Sequence, residues 1–332
     1  MDFAKQCEAV LAAINLLADG CTYGSIKRTA ELLGMALRVI PHIDACMQAL
    51  KEIFQDDCWH KVSPKTLVAL ADAYRFQGRY RDAEKILKHV LDEQRKVLPL
   101  QDINMLLYMN HLARVYKLQG RHDQAAKLFE ETLAERVKVL GFDDSDTLAT
   151  ANNLGLVYKA LHRFPEAEEL LQRTLLGREK VLGGDKPDTL VTANNLAFVY
   201  QAMGNTSKAE ELYNRALEGL QRCFGKEHPE TLITKHNLAS LRFQSGQQKE
   251  AIEIYESVLA GREKVVGPNH HDTLVTVREL AMAHRSQHDY KEAAKLLRRA
   301  LTGFEDILGN NYQETLAVAE DLTLVLNEQA GA

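Results

Sequence analysis

Adjacent residue pairs recurring every 42 positions hold most of the groups in this sequence that could grip a ligand. They are Val68-Ala69, Asn110-His111, Asn152-Asn153, Asn194-Asn195, His236-Asn237, Arg278-Glu279 and Glu320-Asp321. An asparagine side chain both donates and accepts hydrogen bonds, so it can hold the amide groups of an extended backbone whatever its side chains. Neighbours on a helix point about 100° apart, so one residue of each pair is expected to bind and the other to be structural. Asn110, Asn152 and Asn194 are the favoured ligand-facing set. The competing reading is that one asparagine of each pair ties neighbouring helices together. Close by in each period stand Arg75, Arg114, Lys117 and Lys159 early in the chain. Arg278 and Arg285 follow late, beside Glu279, Glu320 and Asp321. The early set suits an acidic peptide, a carboxylate or a phosphate through charge-assisted hydrogen bonds. Ordinary solvated helix charges are the bland alternative.

Signals for catalysis are weak. The sequence has no HExxH, GxSxG or GxxxxGK[ST], and Gly219 lies one residue too far from Gly225-Lys226 for a phosphate loop. His111, His236 and His284 are candidates for the ligand face, where a histidine serves more often as a hydrogen-bonding contact than as a base. With tyrosines and carboxylates nearby, His111 or His236 would still permit proton transfer, which needs no motif. His270-His271 reads as a turn or cap. The five cysteines (Cys7, Cys21, Cys46, Cys58 and Cys223) show no CxxC or Cys/His ligand spacing, so no zinc site is expected. No catalytic residue and no cofactor is assigned, and the balance is against an enzyme.

Whole-chain numbers bound the partner classes. A net charge of −5 gives no global pull toward nucleic acid or anionic membrane. The apolar run Ala9–Ala18 is flanked by Asp2 and Glu8 and suits a short amphipathic helix better than a signal peptide. No apolar stretch reaches the ~18 residues needed to span a bilayer. Reduced thiols and a cytoplasmic location are therefore expected.

What must position the candidate residues is a repeat. Thr-Leu recurs at Thr147, Thr189, Thr231, Thr273 and Thr315, each 42 residues after the last. Alanine holds a row at Ala83, Ala125, Ala167, Ala209, Ala251 and Ala293, and leucine one at Leu70, Leu112, Leu154, Leu196, Leu238, Leu280 and Leu322. Tyrosine holds one at Tyr74, Tyr116, Tyr158 and Tyr200, and glycine closes units at Gly141, Gly183, Gly225, Gly267 and Gly309. Each unit reads as two helices. Between Thr189 and Met203 the apolar residues Leu190, Ala193, Leu196, Ala197 and Tyr200 have helical spacing, Gly204-Asn205 breaks it, and a second helix runs from Ser207 to Phe224. The acidic residue before each Thr-Leu is expected at or near a helix start, as a cap or dipole partner. Pro187 and Pro229 suit the same place.

The rows, with Leu154-Gly155, Tyr158, Ala167, Leu171 and Leu175 as a complete instance, resemble the tetratricopeptide repeat. The long period and the phrase REKVLGGDKPDTLVTANNLAFVYQAMG resemble its kinesin-light-chain subtype. The resemblance covers Ser63 to the C-terminus. It departs where the tyrosine row becomes Arg242 and His284, and where the turn glycine becomes His162 and His288. It implies an all-α, right-handed α-solenoid of helical hairpins whose first helices line a concave groove. It adds Asn153, Asn195 and Asn237 to the candidates, and it implies short peptides with an aromatic residue amid acidic ones as ligands. The expected division is an N-terminal helical cap over 1–62, six hairpins over 63–309 and a capping helix over 310–332. Helices near Phe3–Ala18, Ser25–Val39 and His42–Phe54 make the first cap, or alternatively cover the groove.

The leading reading is an interaction scaffold holding an extended acidic peptide against Asn110, Asn152, Asn194, Asn153, Asn195, Asn237, His111, His236, Arg75, Arg114, Lys117 and Lys159. The second is a small-molecule or catalytic site on the inner face, suggested by the breaks at Arg242, Arg278, Glu279 and His284. A third is the sensing half of a larger signalling protein.

Overall fold

The computed structural model describes residues 62–76 and 78–331 of the chain. The expected segment 1–62, with its three helices and its alternative role as a groove cover, lies outside the described residues except for Val62. The chain divides into two compact units, Met1–Leu182 and Gly183–Ala332. The described part of the first unit holds α1 (Pro64–Phe76), α2 (Tyr80–Gln94), α3 (Ile103–Leu118), α4 (His122–Leu140), α5 (Ser145–Ala160) and α6 (Phe164–Val181). The second unit holds α7 (Pro187–Ala202), α8 (Thr206–Phe224), α9 (Pro229–Gln244), α10 (Gln248–Val265), α11 (His271–Ser286), α12 (Tyr290–Leu308) and α13 (Gln313–Gly331). The described residues include no strand, as the all-α repeat requires. None of their helices is long and apolar enough to cross a membrane.

Within each unit consecutive helices form hairpins, and each hairpin packs on the next. The first helices are also neighbours: α1 touches α3 and α3 touches α5 in the first unit, while α7 touches α9 and α9 touches α11 in the second. Residues a whole period apart therefore stand side by side on adjacent helices.

The rows are explained by what they touch. The alanine row is fully buried, Ala83 through Ala293. A second row of small residues does equal work: Gly177, Gly219, Gly261 and Gly303 sit against Leu148, Leu190, Leu232 and Leu274, and a Cβ on Gly219 would lie 2.5 Å from Leu190 Cδ1. The leucines after Thr147, Thr189, Thr231 and Thr273 thus lodge in notches on their partner helices, whereas Leu316 on α13 is exposed. The threonine ties the unit back to its predecessor, for Thr189, Thr231, Thr273 and Thr315 donate from Oγ1 to the carbonyls of Gly183, Gly225, Gly267 and Gly309 at 2.8–2.9 Å.

Each hairpin turn is a helix C-terminal motif in which a backbone N–H returns to the carbonyl five residues earlier. Arg79, Arg121, Arg163 and Asn205 return in this way to Tyr74, Tyr116, Tyr158 and Tyr200. In the first three, the arginine also lies over the tyrosine ring, 4.1–4.3 Å from its centre. Where the tyrosine is lost the bond persists and the side chains change together. Arg242 Nη1 donates to Gln247 Oε1 at 2.9 Å, and His284 Nδ1 lies 3.4 Å from Asp289 Oδ2. The turn residues His162 and His288 have φ of 58° and 62°, the left-handed conformation their glycine counterparts adopt freely.

Helix starts follow a related but shifted rule. The caps are Asp102, Asp144, His228 and His270, whose side chains accept backbone N–H bonds. The acidic residues before Thr-Leu, such as Asp146, Glu230 and Asp272, stand in the first turn, where they face the positive end of the helix dipole. Pro187 and Pro229 open their helices as expected.

Candidate functional site

Helices α1, α3 and α5 carry the early candidates, all in the first unit. Asp72 on α1 is the hub. Its Oδ1 accepts from Arg75 Nε at 2.9 Å, and its Oδ2 lies 3.2 Å from His111 Nδ1 on α3. Burial alone would raise the Asp72 carboxyl, but His111, Arg75 and Arg114 together hold it well below the usual carboxylate range. Both oxygens are thereby engaged. Arg114, next along the same face of α3, has no carboxylate partner among the described residues. The charge of Arg75 and its own burial bring its guanidinium down to about 10, against the pull of Asp72.

Lys117, three residues further, donates from Nζ to Asn153 Oδ1 on α5 at 2.8 Å. Asn153 in turn donates from Nδ2 to the Ala149 carbonyl at 3.0 Å. Burial first, then Arg114 and Arg75, push the Lys117 ammonium down to about 7. Lys159 occupies the equivalent place on α5 and is also lowered by burial. Asn110 and Asn152 are buried, and the Asn110 Oδ1 has no hydrogen-bond partner among the described residues. The structure thus brings Arg75, His111, Arg114, Lys117 and Asn153 into one cluster, with Asn110 on the same face of α3 and Lys159 one helix on.

In the second unit the corresponding face is closed on itself. Asn237 Nδ2 donates to Asn194 Oδ1 at 3.1 Å, and Asn194 Nδ2 to Asn195 Oδ1 at 3.4 Å. Asn194 and Asn195 are buried. Gln201 donates to Gln244 Oε1 at 3.0 Å and Ser240 Oγ at 3.2 Å, and accepts from the Tyr213 hydroxyl at 2.8 Å. His236 packs edge-on to Tyr255 with ring centres 5.3 Å apart. Burial, with Arg262 adding to it, drives its imidazole down to about 3, so it stands neutral. Arg278 pairs with Asp321 at 2.6 Å, and Arg285 grips Glu328 through two bonds of 2.6 and 2.8 Å. Burial, then Asp321 against Arg278, raises the Glu279 carboxyl.

Sequence reasoning missed Asp72 and Gln201. Asp72 lies two residues before Tyr74, the same offset that nominates Arg114, so the signal was present. The buried arginines Arg136 and Arg262 were also missed. Arg262 Nη1 donates to the Asp272 carbonyl at 2.7 Å and to Thr276 Oγ1 at 2.6 Å, joining α10 to α11, and Arg136 makes the same contacts with Asp146 and Thr150.

Comparison with known proteins gives a consistent picture. The tetratricopeptide repeat profile matches residues 63–134, 146–222, 191–264 and 230–306. No curated protein matches the chain by sequence. Among solved structures, nearly identical TPR-like repeats of a Podosopora anserina protein assigned as a kinesin light chain are 30% identical. The match covers 60% of this chain and 94% of that one, with a TM-score of 0.51. BtubC (BKLC) from P. vanneervenii is 21% identical over 76% of this chain and 94% of its own, with a TM-score of 0.52. NprR, in a complex with its cognate peptide NprX, is 18% identical over 89% of this chain and 81% of its own, with a TM-score of 0.60.

Proposed function

The chain belongs to the tetratricopeptide repeat family, and from that premise we propose that it is an interaction scaffold whose first unit holds an extended acidic peptide across α1, α3 and α5. One observation carries this reading. Arg114 and Lys117 stand half-buried beside Arg75, while the one carboxylate near them among the described residues, Asp72, is already engaged by Arg75 and His111. Cations held in a partly buried cluster without counter-charge are costly, and an acidic ligand would relieve that cost. Asn153 supplies a neighbouring amide suited to a peptide backbone. The peptide-bound state of NprR supports the idea that a stack of this kind can hold one. On this reading residues 1–62 and 310–332 serve as end caps, and the protein works in the cytoplasm.

The alternative of a small-molecule or catalytic site drew on Arg242, Arg278, Glu279 and His284. Arg242, Arg278 and His284 each face a carboxylate within the second unit. Those pairs account for the broken pattern without a ligand, so the scaffold reading is preferred.

The test is an array of short acidic peptides, each with one aromatic residue, probed with the wild-type chain and with Arg114→Glu/Lys117→Glu. Helicity of both is followed by circular dichroism. Wild type is expected to capture a subset of peptides, with affinity falling as salt rises, and the folded variant to lose them. Peptides captured equally by both proteins would place recognition elsewhere.

A further inference from the structure

Resting on the reading above, the cluster's own charge count narrows what the peptide must carry. Arg75, Arg114 and Lys117 supply three positive charges within one patch. Asp72 supplies one negative charge, and its two oxygens are spoken for by Arg75 and His111. Among the described residues, Arg114 and the protonated form of Lys117 are left without a counter-charge. Unit 2 has no such surplus at the equivalent places, since Arg285, one member of the Arg75–Lys117 row, is doubly bonded to Glu328. A single carboxylate would bring one charge and two acceptor oxygens. A phosphate monoester brings nearly two charges and three acceptor oxygens, enough for a guanidinium and an ammonium at once.

We propose that Arg114 and Lys117, flanked by Arg75, form a subsite for the phosphate dianion of a phosphorylated peptide residue. Asn153, now the acceptor for Lys117 Nζ, orients the ammonium from the α5 side. Asp72 fixes Arg75 from the α1 side. The phosphate completes the ion network that the second unit completes with its own carboxylates.

Proton linkage distinguishes this subsite from a merely basic surface. Among the described residues, the charged groups that act on Lys117 are Arg114 on its own helix and Arg75 on α1, the latter paired with Asp72. With the site empty the ammonium loses its proton near pH 7. A bound dianion favours the charged form, so binding above that pH must draw one proton from solution. Affinity is then greatest between the phosphate's second pKa of about 6 and pH 7, and falls about tenfold per pH unit above it.

Phenyl phosphate is a suitable probe, because a phosphate monoester's second pKa of about 6 leaves it about half dianionic at pH 6 and almost wholly so from pH 7 upward. Its binding to the full chain would be followed by calorimetry from pH 6 to 9, beside succinate and phenylacetate. The expected result is one site per chain, a clear preference over both carboxylates, and uptake approaching one proton at pH 8. Lys117→Arg keeps its charge at every pH and is expected to bind with a flat profile, whereas Arg114→Gln loses at least tenfold. Succinate binding as tightly as phenyl phosphate, or a wild-type profile as flat as that of Lys117→Arg, would overturn the assignment. So would no binding of the phosphate at all. In each case the acidic-peptide array stands or falls separately: peptides lost on charge reversal with phenyl phosphate ignored would sink the subsite and leave the scaffold reading intact.

Discussion

Asp72 shows how much one residue carries. It is the single carboxylate on α1 and α3, and it holds Arg75 at 2.9 Å and the His111 ring at 3.2 Å. Its depressed pKa is a statement about stability. The unfolded chain's carboxyl titrates near 3.9, so above that pH the native ion network contributes its full stabilisation, and the contribution is lost as pH falls through the lower folded value. Asp72→Asn removes the charge with little change of shape. It leaves Arg75, His111 and Arg114 facing one another, and we expect it to cost about 1.5–3 kcal/mol at pH 7. Urea midpoints should show the same deficit at pH 7 and pH 5 and a shrinking one at pH 3. A deficit that persists unchanged at pH 3 would mean that packing, not charge, is what the carboxylate provides.

At the scale of the helix, the repeat is a set of notches and latches. The small rows allow close approach, and the leucine rows fill it. Gly219→Ala illustrates the balance. Alanine in a helix interior gains up to about 1 kcal/mol over glycine from propensity. Here the added Cβ would meet Leu190 Cδ1 at 2.5 Å and Cδ2 at 2.8 Å. Leu190 is fully buried and has nowhere to go, so overpacking of about 1–3 kcal/mol opposes the gain. The net expectation is a lower thermal midpoint for Gly219→Ala, whereas a raised midpoint would show that α7 and α8 can slide apart without loss. The same notch recurs at Gly177, Gly261 and Gly303, but it was not read from the sequence, where only the alanine row stood out. The glycines sit inside helices, where propensity argues against them, and only the leucine opposite explains their presence. The turn motif was half legible. The tyrosine row was plain, but its partner five residues on was not. The loss of tyrosine at Arg242 and His284 looked like a broken pattern, although Gln247 and Asp289 had changed with it.

Across the molecule, what was legible is what repeats with the period. Burial of alanine, leucine and threonine rows depends only on position within a hairpin, so 42-residue spacing dictated the all-α hairpin stack from Ser63 onward. The site does not repeat. Which cations find carboxylates depends on reach between neighbouring helices, as in Arg278 with Asp321 and Arg285 with Glu328, each 43 residues apart. A charge count over the rows cannot anticipate that, among the described residues, Asp72 is saturated and Arg114 has no carboxylate of its own. The same holds for the coupling between hairpins. In a repeat stack, stability is the sum of hairpin and interface contributions, and each interface can be weakened on its own. Within the first unit Arg136, 2% exposed, bonds from α4 to the Asp146 carbonyl and Thr150 Oγ1 of α5. Thr150 also bonds the Asp146 carbonyl at 2.9 Å, so removing the arginine does not orphan that oxygen. Arg136→Met keeps the apolar stem and deletes the latch, at an expected cost of about 1–3 kcal/mol. That loss should fall on one interface. Native-state hydrogen exchange should then show opening free energies of α1–α4 and α5–α6 drawing apart by about that amount. If every amide of the unit loses protection equally, the hairpins open as one body and Arg136 stabilises the unit without coupling its parts.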